Sequence, residues 1–246
     1  MTGSPHGGET RSSTRDPAGP SWRWLRGLAV ATLVLTYGLL ALGSTVRVTK
    51  SGMGCPSWPL CFGQVGPINL VGNPSSPGSV IINVPIGPCF HFRFGANVFI
   101  TGFRQYCGIY GLYGGMMCEY GAYILHDFMW FDAHPGCYHM YANFGTIACL
   151  DNYWIYGDAV SHYYIGFAGA INVQSCTVNI VGTRTFGQFC QIPNGNWYGL
   201  GCVFLGGTVH GQRYLVSYGG LINTGGGGAN FFPGNSPGAS NQGFYI

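Results

Sequence analysis

The chain has 246 residues, of which 43 are glycine, 15% are aromatic and 7% are charged, with a formal net charge of +3. That length allows one large domain or two small ones with a true core. So small a charge gives no electrostatic case for nucleic acid, and so few charges, against about 25% in ordinary soluble domains, suit a membrane, an oligomer or poor solubility. Ten cysteines occur without a CxxC, which leaves zinc-ribbon and thioredoxin readings without support.

Residues 1–22 are rich in Gly, Ser, Thr, Pro and Arg, lack apolar periodicity and read as a disordered tail. Gly27 to Val46 then run for twenty residues without a charge. At 1.5 Å per residue they cross a hydrocarbon core of ~30 Å, which predicts a transmembrane helix over 23–46. Trp22 and Trp24 stand where an interfacial belt would sit. Arg11, Arg15, Arg23 and Arg26 precede the run; Arg47 and Lys50 follow it. The positive-inside rule puts the N-terminus in the cytoplasm and the next loop outside. The rival is a signal peptide cleaved at Ala41-Leu42-Gly43, but the run is longer than most signal cores.

Residues 47–68 form the extracytoplasmic loop, with Cys55 and Cys61 six apart and Pro56 and Pro59 bending the chain between them. The spacing permits a disulfide on the oxidising side. It reads either as a staple or as a redox-sensitive pair.

Gly43, Val46, Arg47, Thr49, Ser51 and Gly52, then Cys55, Pro56, Trp58, Pro59, Leu60 and Cys61, stand in a specific order. With Gly63–Ile68 behind them, this stretch resembles the heme A synthase family over residues 24–68. The family's first helix is followed by Gly-x-x-Val-Arg-x-Thr-x-Ser-Gly and Cys-Pro-x-Trp-Pro-Leu-Cys. The resemblance implies oxidation of the heme O methyl to the formyl of heme A, with heme as cofactor. It also implies an all-α membrane bundle in the cell membrane, with heme-biosynthesis or oxidase-assembly proteins as partners. It favours the redox reading of Cys55 and Cys61. The family's next helix carries Glu-x-x-His-Arg, whose His ligates heme. No such motif occurs here. The nearest echo, His210-Gly211-Gln212-Arg213, lies late in strand-like sequence. Heme ligands are therefore unassigned, and the chain reads as incomplete or inactive in that activity.

Residues 69–90 read as a linker, around Asn73-Pro74-Ser75-Ser76-Pro77-Gly78. Residues 91–224 are short runs of Val, Ile, Tyr, Phe and Trp broken by Gly and Asn, which predicts a β-rich domain. The fold class is thus mixed: one transmembrane helix, then a β-rich, Gly/aromatic-rich body. Residues 225–246 read as a flexible Gly-rich tail. Bulky residues recur every six positions at Phe94, Ile100, Tyr106, Leu112, Cys118, Ile124 and Trp130. A second register runs Phe186, Ile192, Tyr198 and Phe204, breaks at His210, and resumes at Val216 and Ile222. Period six suits a hexapeptide, left-handed parallel β-helix.

Two chemistries compete for the polar cluster at 126–139. His126, Asp132 and His134 would share one strand face and could bind a divalent metal. Alternatively, His126-Asp127 with Asp132 five residues on resembles hexapeptide-repeat acyltransferases. There His126 would deprotonate the acceptor, with acetyl-CoA between coils of a trimer. The third reading is a membrane-anchored, non-catalytic β domain. A homo-oligomer fits the low charge in each case.

Overall fold

The structure is a computed structural model that describes residues 27–36, 67–108 and 114–246. The chain divides into two units, Met1–Gly63 and Gln64–Ile246. In the first, residues 27–36 are helical and exposed. Thr32 and Thr36 donate their hydroxyls to the carbonyls four residues back, at 2.9 and 2.8 Å. No helix among the described residues is long and apolar enough to cross a membrane. Residues 1–22, 37–46 and the Cys55/Cys61 loop lie outside the described residues.

The second unit is a parallel β-solenoid. Most of its strands are three to six residues long, many are rich in β-branched and aromatic residues, and glycine stands in many of the turns between them. The chain winds instead of folding back. Three faces result. The first carries β1 (Ile68–Val71), β4 (Asn97–Thr101), β7 (Tyr123–Asp127), β10 (Thr146–Cys149), β13 (Ala170–Asn172), β15 (Asn196–Tyr198), β17 (Leu221–Asn223) and β19 (Phe244–Tyr245). The second carries β2 (Ile81–Val84), β5 (Arg104–Cys107), β8 (Met129–Phe131) and β11 (Asn152–Ile155). The third carries β3 (Phe90–Phe92), β6 (Gly114–Glu119), β9 (His134–Asn143), β12 (Ala159–Gly166) and β18 (Ala239–Asn241). The long strands β14 (Thr177–Ile192) and β16 (Val203–Ser217) run through both of the latter faces. Their register breaks after Ile180 and after Thr185, where the chain bends round the corner.

Inward positions stack from coil to coil. On the first face Ile68, Val98, Ile124, Ile147, Ile171, Trp197, Ile222 and Tyr245 form one ladder. The six from Val98 to Ile222 are wholly buried. On the third face Phe90, Met116, Met140, Tyr163, Cys190 and Tyr214 form another. Burying each such side chain is worth about 1.5–3 kcal/mol, and each coil gains it only from its neighbours.

The β-rich body and its parallel coiling follow the sequence expectation; an all-α bundle is ruled out for this unit. The coil length does not follow it. Ladder steps run from 23 residues, Ile124 to Ile147, to 30, Ile68 to Val98, against about 18 for three hexapeptide faces. Period six survives only in part. Ile100, Cys118, Ile124, Phe186, Ile192, Val216 and Ile222 are buried, whereas Phe94 is exposed and Tyr106, Trp130, Tyr198 and Phe204 are half-buried. Leu112 is outside the described residues.

Two boundaries also move. The 69–90 segment is the first coil and not a linker. Asn73 turns it by accepting from Ser75 Oγ (2.7 Å) and the Ser76 amide (3.2 Å) while donating to Ser79 Oγ (3.0 Å). The 225–246 segment is not a loose tail. Phe232 is buried against Trp197, ring centroids 4.7 Å apart. Beyond it β18 and β19 add to the sheets. Aromatic burial fixes a segment whose glycines alone would leave it free.

Candidate functional site

The polar residues singled out in the sequence lie in or beside the solenoid's interior. Each coil returns after about two dozen residues, so His139 and His162, 23 apart, meet on adjacent coils. His139 Nε2 lies 3.0 Å from the Asp132 carbonyl. A carbonyl only accepts, so His139 carries its proton on Nε2. Its Nδ1 then accepts from His162 Nδ1–H at 2.8 Å. His162 Nε2 in turn accepts the Tyr153 hydroxyl proton at 2.9 Å. The Tyr153 oxygen accepts from Tyr163 Oη. One carbonyl thus fixes every proton along a four-residue chain in which all groups are neutral.

Burial keeps it neutral. His126, His134, His139, His162, Tyr153 and Tyr163 have no exposed surface. Burial holds His139 and His162 well below the ordinary histidine range, aided by the repulsion of neighbouring imidazoles. It raises Tyr153 and Tyr163 well above the usual phenol value.

His126 sits differently. It follows Ile100 in the inward ladder of the first face and precedes Cys149. Both ring nitrogens lack a hydrogen-bond partner. Its neighbours are the edges of Phe131 and Tyr153, at 6.0 and 5.3 Å. Burial alone pushes it down to about 3. His134 sets Nδ1 against the Tyr138 carbonyl (3.0 Å) and Nε2 against that of Gln105 (3.3 Å). Both carbonyls favour a proton, but burial outweighs them and brings it to about 4.

The carboxylates do not join these histidines. Asp132 is held by Arg104, with Nη2 at 2.6 Å and Nε at 2.7 Å. Asp127 accepts the amides of Phe128 and Asn152, both at 3.0 Å, and so ties one coil to the next. Burial raises its carboxyl nonetheless. His126, Asp132 and His134 therefore do not converge. No three His, Cys, Asp or Glu among the described residues are grouped to hold a metal ion. As a general base His126 would need a path to solvent, and its ladder position gives none.

Heme fits the described histidines no better. Four are packed inside the solenoid, His91 is paired with Glu119 at 2.8 Å, and His210 accepts from Asn235 at 2.9 Å. The eight described cysteines form no disulfide with one another, and seven of them are buried. Burial raises those of Cys89, Cys118 and Cys202 to about 12, which makes them inert.

Residues 26–72 match the family model described as COX15-CtaA, cytochrome oxidase assembly protein. The resemblance to heme A synthases rests on that segment. It covers under a fifth of the chain and ends just after β1, the solenoid's first strand. No curated protein and no solved structure matches the chain.

The sequence reading singled out the 126–139 cluster, which contains His139, but missed the residues linked to it, His162, Tyr153 and Tyr163. The signal was their spacing: His139 to His162 equals the Ile124 to Ile147 step. It becomes visible only once the coil length is known.

Proposed function

We propose that the solenoid is a non-catalytic β domain, joined to a membrane-anchoring segment over 23–46, and that it acts through its outer surface. The observation that carries this is the place of His126, an unpartnered imidazole inside an apolar ladder. The residues best suited to proton chemistry face inward, among packed rings, where no acceptor hydroxyl reaches them. Asp127 and Asp132, the other members of the acyltransferase pattern, serve as an inter-coil tie and an ion pair.

Calorimetry of the full chain with acetyl-CoA tests this. The reading expects no binding heat. Saturable heat abolished by His126→Leu would contradict it. The same variant has a second readout. Leucine would continue the Ile100 ladder and remove two unsatisfied nitrogens, so thermal stability should rise by about 1–2 kcal/mol.

A second reading is heme A synthase-like activity, supported by the match over residues 26–72. Its chemistry would belong to a site that the described residues do not supply. A pyridine hemochrome spectrum of the membrane-extracted chain tests it; a stoichiometric heme signal would support it, and a blank spectrum would remove it.

A further inference from the structure

Four of the buried cysteines meet in pairs across neighbouring coils. Cys107 ends β5, and Cys137 lies in β9 on the next coil. Both sulfurs lie against the Gly108 carbonyl oxygen, at 3.6 and 3.5 Å, and the two thiols are hydrogen-bonded neighbours. Cys149 ends β10, and Cys176 stands just before β14 on the next coil. Cys176 Sγ lies 3.2 Å from the Cys149 carbonyl oxygen, and these thiols too are hydrogen-bonded neighbours. None of the four is more than 8% exposed.

The sheet register between coils lapses where the thiols meet. Strand β5 pairs with β8 only as far as Gln105, and β10 pairs with β13 only as far as Ala148. Strand β9 is bulged between His134 and Tyr138, around Cys137. Side chains facing each other across a regular ladder stand about 4.8 Å apart, wider than the ~3.8 Å between the Cβ atoms of a disulfide. Outside the ladder the backbone is free to close that gap.

We infer that the two pairs, unjoined in this structure, are disulfide sites, closed when the chain folds in the presence of a donor disulfide. Cys107–Cys137 then ties the β4 coil to the β7 coil, and Cys149–Cys176 ties the β10 coil to the β13 coil. One thiolate of a pair attacks a donor sulfur, and one donor thiolate leaves. The second protein thiolate attacks the protein sulfur of the mixed disulfide, and the other donor thiolate leaves. The pair gives two electrons to the donor, and the protons of both protein thiols pass to the departing thiolates. Folding is the moment for this exchange. In the closed coils burial pushes Cys107 up to about 12, and the Cys176 thiol together with burial pushes Cys149 well above the ordinary thiol range. A thiol held protonated and sealed does not attack. Cys89 and Cys118 keep their thiols, donating to the Tyr106 and Ala122 carbonyls, both at 3.1 Å. The inference is independent of the function proposed for the outer surface.

Cell-free synthesis of the full chain in detergent with oxidised glutathione tests it, followed by alkylation in denaturant and mass spectrometry of the peptides. Cys107 is expected joined to Cys137 and Cys149 to Cys176, with Cys89 and Cys118 alkylated. A chain synthesised under reductant and given oxidised glutathione only after folding should join neither pair. Each bond should lower the unfolding equilibrium constant by about 100-fold against the reduced chain. Cys107→Ser and Cys149→Ser, made separately, should each remove one bond and leave the other. Absence of either bond after oxidative synthesis would overturn the inference, and so would pairing of any of the four with another cysteine. Joining that runs as well in the folded chain would overturn its timing.

Discussion

The interior and the outer corner of this solenoid use the same residue types to opposite ends. Inside, histidine and tyrosine are sealed and neutral, and His139, His162, Tyr153 and Tyr163 satisfy one another in a run that starts at the Asp132 carbonyl. Outside, at the corner where the third face turns into the first, Phe94, Tyr120, Phe144 and Phe167 stand exposed on strained backbone, their rings stacked. The polar groups are wholly buried, which suits the structural role proposed for them. The apolar groups stand where water reaches them. Residue chemistry alone would assign the places the other way round.

Acid gives the largest test of that contrast. Four described histidines are neutral in the fold and hold pKa values below the ordinary 6.5, His134 near 4 and His126 near 3. Unfolding lets each take a proton. Their contribution to stability is intact above pH 6.5 and drains as pH falls toward 4, at up to about 5 kcal/mol per pH unit. Urea midpoints at pH 7.5, 6 and 5 should drop steeply and together. A flat profile would show that the interior is open to solvent.

Smaller effects separate the two regions further. Tyr153→Phe removes one hydroxyl and leaves the His162 nitrogen without a donor, which should cost about 1–3 kcal/mol in chemical denaturation. Phe144→Asn at the corner loses stacking yet relieves a strained backbone, so stability should change by less than about 1 kcal/mol. A larger loss at Phe144 would make the corner stack a structural rib.

The fold was partly legible. Runs such as those around Ile124 and Ile147 announced strands, and parallel coiling followed from their recurrence. Their true step was hidden because it varies from 23 to 30 residues. A fixed period of six therefore caught Ile100 and Ile124 while misplacing Phe94 and Trp130. Pro74 and Pro77 resemble a linker because corners and linkers draw on the same residues. In the last segment the adjacent Phe231 and Phe232 were the sign of burial amid glycine. The site was less legible. Nothing local distinguishes a histidine that faces solvent from one that continues an isoleucine ladder. The corner left one trace, the recurring aromatic–glycine pairs Phe94-Gly95, Tyr120-Gly121, Phe144-Gly145 and Tyr218-Gly219.

The central claim is that the titratable interior is sealed. Nitrogen-15 NMR of the histidine rings tests it most directly. The account predicts that the signals of His126, His134, His139 and His162 stay neutral and unshifted from pH 8 to 5.5, with His139 protonated on Nε2 and His162 on Nδ1. Any of the four titrating near pH 6.5 while the β signature persists would contradict it.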